Sequence, residues 1–275
     1  MRTLWLDTHV GPLRVVRAGP PEAASALICW PGLGLVAEEF HRLLREAEAA
    51  GCQMVAVDPP GHGQSPPAPE LDWDDVLRLL EAVAGRVRAR GYVLVGHSVG
   101  AVAAVMASAA LGDRLRGLVA ADGALRPVLR GRTDAELEAE NRAWLAAAFD
   151  GWGQAIAWAR ADLRAWDDDV EAGVRALLAE GPDGRVGPRG DRATLTRWAA
   201  LARDFEPLHA PWPDCSVLAL VGEGGQGEEG LATLRRRVPA LRVEHVPGAG
   251  HELFWDRPAE ASAAIWRFAR PLLGL

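Results

Sequence analysis

The chain has 275 residues, 49% of them hydrophobic and 24% charged, with a net charge of −7. Those values suit one large α/β domain or a core with an inserted subdomain, and they exclude global disorder. The acidic balance excludes the basic face that a nucleic-acid partner requires, and the complete absence of Lys among 30 basic residues excludes Schiff-base, PLP and Walker A chemistry.

In chain order, Leu4–Leu6 and Leu13–Val16 predict a hairpin turning at Gly11-Pro12. Ala26–Trp30 reads as a buried strand stopped by Pro31, and Val36, Phe40, Leu43, Leu44 and Ala47 trace a helical face. Met54–Val57 is the next strand. Val76, Leu79, Leu80, Val83 and Val87 form a second helical face. Val93–Val95 is a strand, 99–111 a helix apolar nearly all round, and Leu118–Ala121 a further strand. Short continuous apolar strands alternating with helices imply a mostly parallel sheet covered on both faces.

The stretch 123–213 shows no strand pattern. Thr133 with Glu136 is a capping box that opens a helix carrying Leu137, Trp144 and Leu145. Val170, Val174, Leu177 and Leu178 mark a second helix ending at Gly181. A Gly/Pro/Arg loop then runs to Gly190, and Asp191 caps a third helix through Leu195, Trp198 and Ala202. Five of the 11 Trp residues fall on or between these helices: Trp144, Trp152, Trp158, Trp166 and Trp198. They serve either to pack a helical subdomain on the core or to wall an apolar site. Strands at Val217–Val221 and Leu241–Val246 and a closing helix at Glu260–Leu272 complete the pattern.

Cys29, Cys52 and Cys215 lie apart, in or beside apolar runs, with no zinc spacing, so they read as small buried hydrophobes. The N-terminus lacks a secretory apolar stretch, and 101–111 is too short to span a bilayer. The expectation is a cytoplasmic protein, monomer or homodimer, with no membrane or nucleic-acid partner, no metal and no cofactor.

The strongest chemical signal is Gly96-His97-Ser98-Val99-Gly100, G-x-S-x-G placed between a strand and a buried helix. A sharp turn there lifts a serine hydroxyl above the sheet edge, and crowding demands glycine on either side. The helix N-terminus behind it offers N–H groups to a developing negative charge. Trp30-Pro31-Gly32-Leu33-Gly34 follows the third strand. Asp58 opens D-P-P-G-H-G-Q-S, ending at Ser65. Gly248-Ala249-Gly250-His251 follows the last strand.

In these four motifs, taken in this order, the chain resembles the α/β-hydrolase family over essentially its whole length. The resemblance implies an α/β-hydrolase core at 1–122 and 214–275 with a helical cap at 123–213. It implies Ser98 as nucleophile, His251 as base, and the N–H groups of Leu33 and Val99 as the oxyanion hole. His62 and His97, inside the motifs, read as structural, as does Asp58. The acid stays open. The position where the family commonly has Asp appears as Gly225 here. Asp122, ending the preceding strand, is preferred, Glu223 is its rival and Glu228 a more distant third.

The expected activity is cofactor-free cleavage of an ester, lactone or thioester of a small to medium apolar substrate. Two alternatives stand beside it. One is a C–C hydrolase, lyase or perhydrolase with the same triad, for which Arg126, Arg130 or Arg160 would line an acidic substrate's site. The other is a catalytically silent ligand-binding protein on the same scaffold, motivated by Gly225.

Overall fold

The computed structural model describes residues 1–127, 129–223 and 228–275. The strands are β1 (Arg2–Thr8), β2 (Gly11–Ala18), β3 (Ser25–Trp30), β4 (Gln53–Val57), β5 (Gly91–His97), β6 (Leu115–Ala121), β7 (Leu178–Glu180), β8 (Val186–Pro188), β9 (Ser216–Val221) and β10 (Leu241–His245). The helices are α1 (His41–Glu46), α2 (Trp73–Arg86), α3 (Val99–Ser108), α4 (Asp134–Leu145), α5 (Gly151–Asp162), α6 (Asp168–Leu177), α7 (Arg192–Arg203), α8 (Glu228–Arg237), α9 (Leu253–Asp256) and α10 (Pro258–Leu273).

Eight strands form one sheet in the order β1-β2-β4-β3-β5-β6-β9-β10. The β1–β2 and β2–β4 pairs are antiparallel and all later pairs parallel. Successive strand residues face opposite ways, and here both faces are covered. Ile28, Leu94 and Leu118 pack with Leu79 and Val83 of α2 and Val102 of α3. Their chain neighbours Leu27, Val93 and Val119 pack on the other side with Leu43 and Leu44 of α1 and Ile265 and Phe268 of α10. That is why the strands read as unbroken apolar runs rather than alternating ones. The registers Trp30↔Gly96 and His97↔Ala121 bring the loops after β3, β5 and β6 to the same carboxyl edge of the sheet, where open α/β sheets place their sites.

Between β6 and β9 lie α4 to α7 and the β7–β8 hairpin. A third apolar cluster joins Ala155 and Ala159 of α5 and Val170 and Val174 of α6 to Val36 and Trp255 of the main body. The capping box of Thr133 and Glu136 opens α4, and Asp191 caps α7 by accepting from the Thr194 N–H.

The structure corrects several sequence expectations. The stretch 123–213 does contain strands: β8 lies inside the expected loop and pairs antiparallel with β7, which takes the end of the expected second helix, since α6 stops at Leu177. Three residues each is too short for a visible alternation, and Val186 gains its register from a bridge to Phe149. Helix α5 was not expected. It opens with Gly151 and Gly153, and its fully buried residues are Ala155 and Ala159, with Trp152 and Ile156 packed half-buried beside them. The first hairpin turns at His9-Val10, since Thr8 pairs with Gly11 and Pro12 already faces Asp7. The helical face from Val36 is broken into a 3-10 turn (Ala37–Phe40) and α1. Cys29 and Cys52 are buried as expected, but Cys215 is only half-buried. Among the described residues no helix is long and apolar enough to cross a membrane.

Candidate active site

Ser98 stands between β5 and α3 with φ +52°, a left-handed conformation that a non-glycine residue holds at a cost. The turn is as tight as its glycines imply. A Cβ on Gly96 would lie 2.3 Å from the Gly100 carbonyl oxygen, and one on Gly100 would lie 2.3 Å from the oxygens of Trp30 and Pro31. The Ser98 N–H is held by the Ala121 carbonyl at 2.9 Å, so the nucleophile turn is fastened to the end of β6.

Asp122, the next residue, is also left-handed at φ +39° and 1% exposed. Its N–H donates to the Leu220 carbonyl at 2.7 Å. Gly123 is required beside it, because a Cβ there would sit 2.2 Å from the Ser98 backbone carbonyl oxygen.

His251 bridges the two. Its Nδ1 lies 2.6 Å from Asp122 Oδ2 and its Nε2 3.0 Å from Ser98 Oγ. An ionised carboxylate only accepts, so Nδ1 carries the proton, and Nε2 of the neutral ring is left to accept from the Ser98 hydroxyl. The rival acid lies elsewhere. Glu223 is 63% exposed on its side chain, its Oε1 accepts the Gly248 N–H at 2.9 Å, and Arg164 stands 3.7 Å from its other oxygen. It steadies the backbone before His251 rather than the ring. Gly225 and the Glu228 side chain lie outside the described residues.

Leu33 follows β3 and Val99 opens α3, and among the described residues neither N–H is engaged in a turn or loop hydrogen bond. Asp58 is fully buried and holds its own turn: it accepts from the Ala37 and Gln64 N–H groups and from Arg14 Nη1 at 2.9 Å.

Sequence reasoning missed Glu39. It is fully buried, as is His97, whose Nδ1 is in direct contact with Glu39 Oε1. Glu252 completes a group whose ligand-type atoms lie within 4.8 Å of one another. The touching His97 and Glu39 atoms leave no space for an ion between them and describe an ion pair instead. Burial pulls the His97 imidazole toward neutrality, but Glu39's charge and hydrogen bond outweigh it and raise the pKa to about 9. Burial pushes the Glu252 carboxyl up, against the pull of His97. Nothing separated Glu39 from Glu38 in the sequence, since paired acids at a helix start read as dipole partners.

His62 behaves oppositely: burial holds its pKa down to about 4. An unfolded histidine titrates near 6.5. Below that value the unfolded chain takes up a proton that His62 refuses, so stability falls as pH drops from about 6.5 toward 4. His97 contributes stability that is complete below about 6.5 and is lost as pH rises through 9. Each shift corresponds to roughly 3 kcal/mol. Urea unfolding followed against pH should therefore show greatest stability near pH 6–7, and His97→Gln should flatten the alkaline limb alone. An alkaline limb unchanged in that variant would contradict the assignment.

A cavity of about 170 Å³ lies between α4, α5 and the main body, walled by Leu35, Trp144, Trp158, Leu163 and Trp255. Its polar lining is acidic, from Asp162 and Glu252, and none of Arg126, Arg130 or Arg160 lines it. Arg130 pairs with Glu206 at the surface, and Arg160 lies over the Trp166 ring. Trp198 is not a wall residue: it is buried in the main core, 6.1 Å from Trp30. A wider cleft of about 720 Å³ near Ser108 and Asp214 lies at the opposite end of α3 from Ser98.

Residues 27–265 match the model of the alpha/beta hydrolase family. The mouse sn-1-specific diacylglycerol lipase ABHD11 is 25% identical over 250 residues, 88% of this chain and 80% of that protein. The 2-succinyl-6-hydroxy-2,4-cyclohexadiene-1-carboxylate synthase of Salmonella paratyphi B is 36% identical over 88 residues, 32% of this chain and 31% of that one. Among solved structures, an E-2-(acetamidomethylene)succinate hydrolase superposes with a TM-score of 0.81 at 24% identity, covering 97% of this chain and 98% of that one, a likeness of fold.

Proposed function

The chain belongs to the alpha/beta hydrolase family, and from that premise we propose that it is a serine hydrolase cleaving an ester, lactone or thioester with a small to medium apolar acyl group. The observation that carries this reading is the Ser98–His251–Asp122 line, with contacts of 3.0 and 2.6 Å. His251 Nε2 takes the hydroxyl proton as Ser98 Oγ attacks the acyl carbon. The oxyanion that forms is met by the N–H groups of Leu33 and Val99, at the dipole-positive start of α3. His251 then returns the proton to the leaving oxygen or sulfur, and the acyl-enzyme on Ser98 is released by a water that His251 activates in turn. Asp122 holds the His251 tautomer and balances the imidazolium. Residues 123–213 act as the cap over this site.

We place the acyl group in the Trp-walled cavity, which none of Ser98, His251, Leu33 or Val99 lines but which Glu252, the chain neighbour of His251, does; in that placement the acidic lining disfavours an acidic carbon–carbon substrate. There a substrate carboxylate would face Asp162 and a half-buried Glu252 with no arginine among the lining residues. Two of the similar proteins carry a carboxylate or a succinate in their names, and that feature does not transfer to this lining. The silent-scaffold alternative rested on Gly225, and the Asp122–His251 contact removes its motive. Partners are small molecules, and the expected state is a monomer or homodimer working in the cytoplasm.

A fluorophosphonate probe tests the reading: one adduct per chain is expected, on the peptide bearing Ser98. No labelling at a concentration that saturates a known esterase would overturn it. The cavity is smaller than the roughly 300–1,000 Å³ of sites for drug-sized ligands, so acyl length should be limited by its walls. Trp158, its ring tilted against that of Trp144 with centroids 6.4 Å apart, is the wall to remove. Trp158→Ala should raise the ratio of kcat/KM for octanoate over butyrate esters by about tenfold or more. An unchanged ratio would place the acyl group elsewhere.

A further inference from the structure

We propose that Glu39 and His97 form a buried brace locking the oxyanion loop and the histidine loop to each other, which makes them positioning residues for the reaction proposed above. His97 Nε2 lies 2.9 Å from the His251 carbonyl oxygen, and its Nδ1 contacts Glu39 Oε1. The second Glu39 oxygen accepts the Gly32 N–H at 3.1 Å. A connected path therefore runs from Gly32 through Glu39 and His97 to the backbone of His251. Gly32 precedes Leu33, and His97 precedes Ser98. One pair of side chains thus reaches the proposed oxyanion donor, the nucleophile and the base, which come from the loops after β3, β5 and β10.

One hydrogen bond and one ion-pair contact set the charge of the ring. The His251 carbonyl can only accept, so Nε2 donates, and the direct contact of Nδ1 with the Glu39 carboxylate makes the ring an imidazolium in an ion pair. The ring is also packed, edge-on to Phe254 at 5.7 Å and tilted against the His251 ring at 5.0 Å. An ion pair enclosed in this way is a poor source of stability, because apolar residues of the same volume often do as well or better. What it supplies is fixed direction. A displacement of about 1 Å in a reacting group can cost about 100-fold in rate, and this brace determines the separation of the loops that must converge on one acyl carbon. The inference rests on the hydrolase reading for its catalytic meaning and on geometry for the brace itself.

Three variants, a stability control and two readouts test it. His97→Phe keeps a ring and removes both contacts. It should lower kcat on a short ester by about 10- to 100-fold with KM changed by less than about threefold, because neither Glu39 nor His97 lines the cavity. His97→Gln retains an N–H able to reach the His251 carbonyl and should recover at least half of that loss on a logarithmic scale. Val83→Ala, in the distant core, serves as the stability control and should leave kcat per folded molecule unchanged. Glu39→Gln is nearly isosteric and guards against a His97 variant that does not fold. In imidazole nitrogen–proton spectra of the wild type, both His97 protons should be visible and slow to exchange. In Glu39→Gln the Nδ1 proton signal should be lost and the His251 ring signals should shift, although Glu39 makes no hydrogen bond to His251. Wild-type kcat in His97→Phe, or His251 signals unmoved in Glu39→Gln, would overturn the brace. A wild type that shows the coupled signals yet cleaves no ester would instead sink the hydrolase reading and leave the brace standing.

Discussion

Ser98→Ala should remove turnover of a short activated ester almost completely, by about 10⁶-fold in kcat. The side chain it deletes is the nucleophile of the proposed reaction. The residue that replaces it keeps the backbone of a turn whose shape comes from Gly96, Gly100 and the Ser98–Ala121 hydrogen bond. Stability should therefore hold, with the melting temperature within a few degrees of the wild type. What survives is the rate that the oxyanion donors and substrate binding provide alone, which in comparable sites is about 10³- to 10⁴-fold over water. Turnover in Ser98→Ala within tenfold of the wild type would mean that another group attacks.

The second large effect belongs to Asp122→Asn, for which kcat should fall by about 10⁴-fold. An amide in place of the carboxylate can present its NH₂ to His251 Nδ1, which then becomes the acceptor and leaves the proton on Nε2. That nitrogen can no longer accept from the Ser98 hydroxyl. The loss is one of tautomer, so the fold and the labelling-site geometry should persist. Glu223→Gln is the matched comparison. Glu223 contacts the Gly248 N–H and not the His251 ring, and an amide oxygen can still accept that bond, so its rate should stay within about threefold of the wild type. If Glu223→Gln carries the large loss and Asp122→Asn does not, the two acids exchange roles.

The parts of this site legible in the sequence are those whose geometry is local. Gly96, Ser98 and Gly100 fall within five residues, and their crowding is a property of one turn. His251 was legible because its loop follows the last strand and carries its own glycines. The acid was legible only as a preference for Asp122 over Glu223: Asp122 and His251 meet across 129 positions of chain, and no spacing rule distinguishes the two acids. The reason is topological. Strands β6 and β9 are neighbours in the sheet, so acids at either carboxyl end come close to the same histidine loop. The brace was hidden more deeply. Glu39 sits beside Glu38 in an apparent first helical turn, and only burial separates them: Glu38 is partly exposed against Arg14, whereas Glu39 is enclosed with His97.

The fold followed the same division. Parallel strands buried on both faces announce themselves as apolar runs such as Ala26–Trp30. Helix α5 did not, because its fully buried residues are alanines, and β7–β8 did not, because a three-residue strand has its register set by the partner it meets. Trp198 and Trp158 show why the Trp excess could not be apportioned from sequence. Both sit on helices of the same inserted segment, yet one fills the main core and the other walls a cavity.

The most direct test of the central claim is to trap the acyl-enzyme: quench the wild type during steady-state turnover of p-nitrophenyl acetate, digest it and weigh the peptides. A single acetyl group on the peptide containing Ser98, accumulating in the wild type and absent from Ser98→Ala, is the predicted result. Sustained turnover with the acetyl group on a different residue, or with no acylated peptide under conditions that trap the intermediate of a known serine esterase, would contradict it.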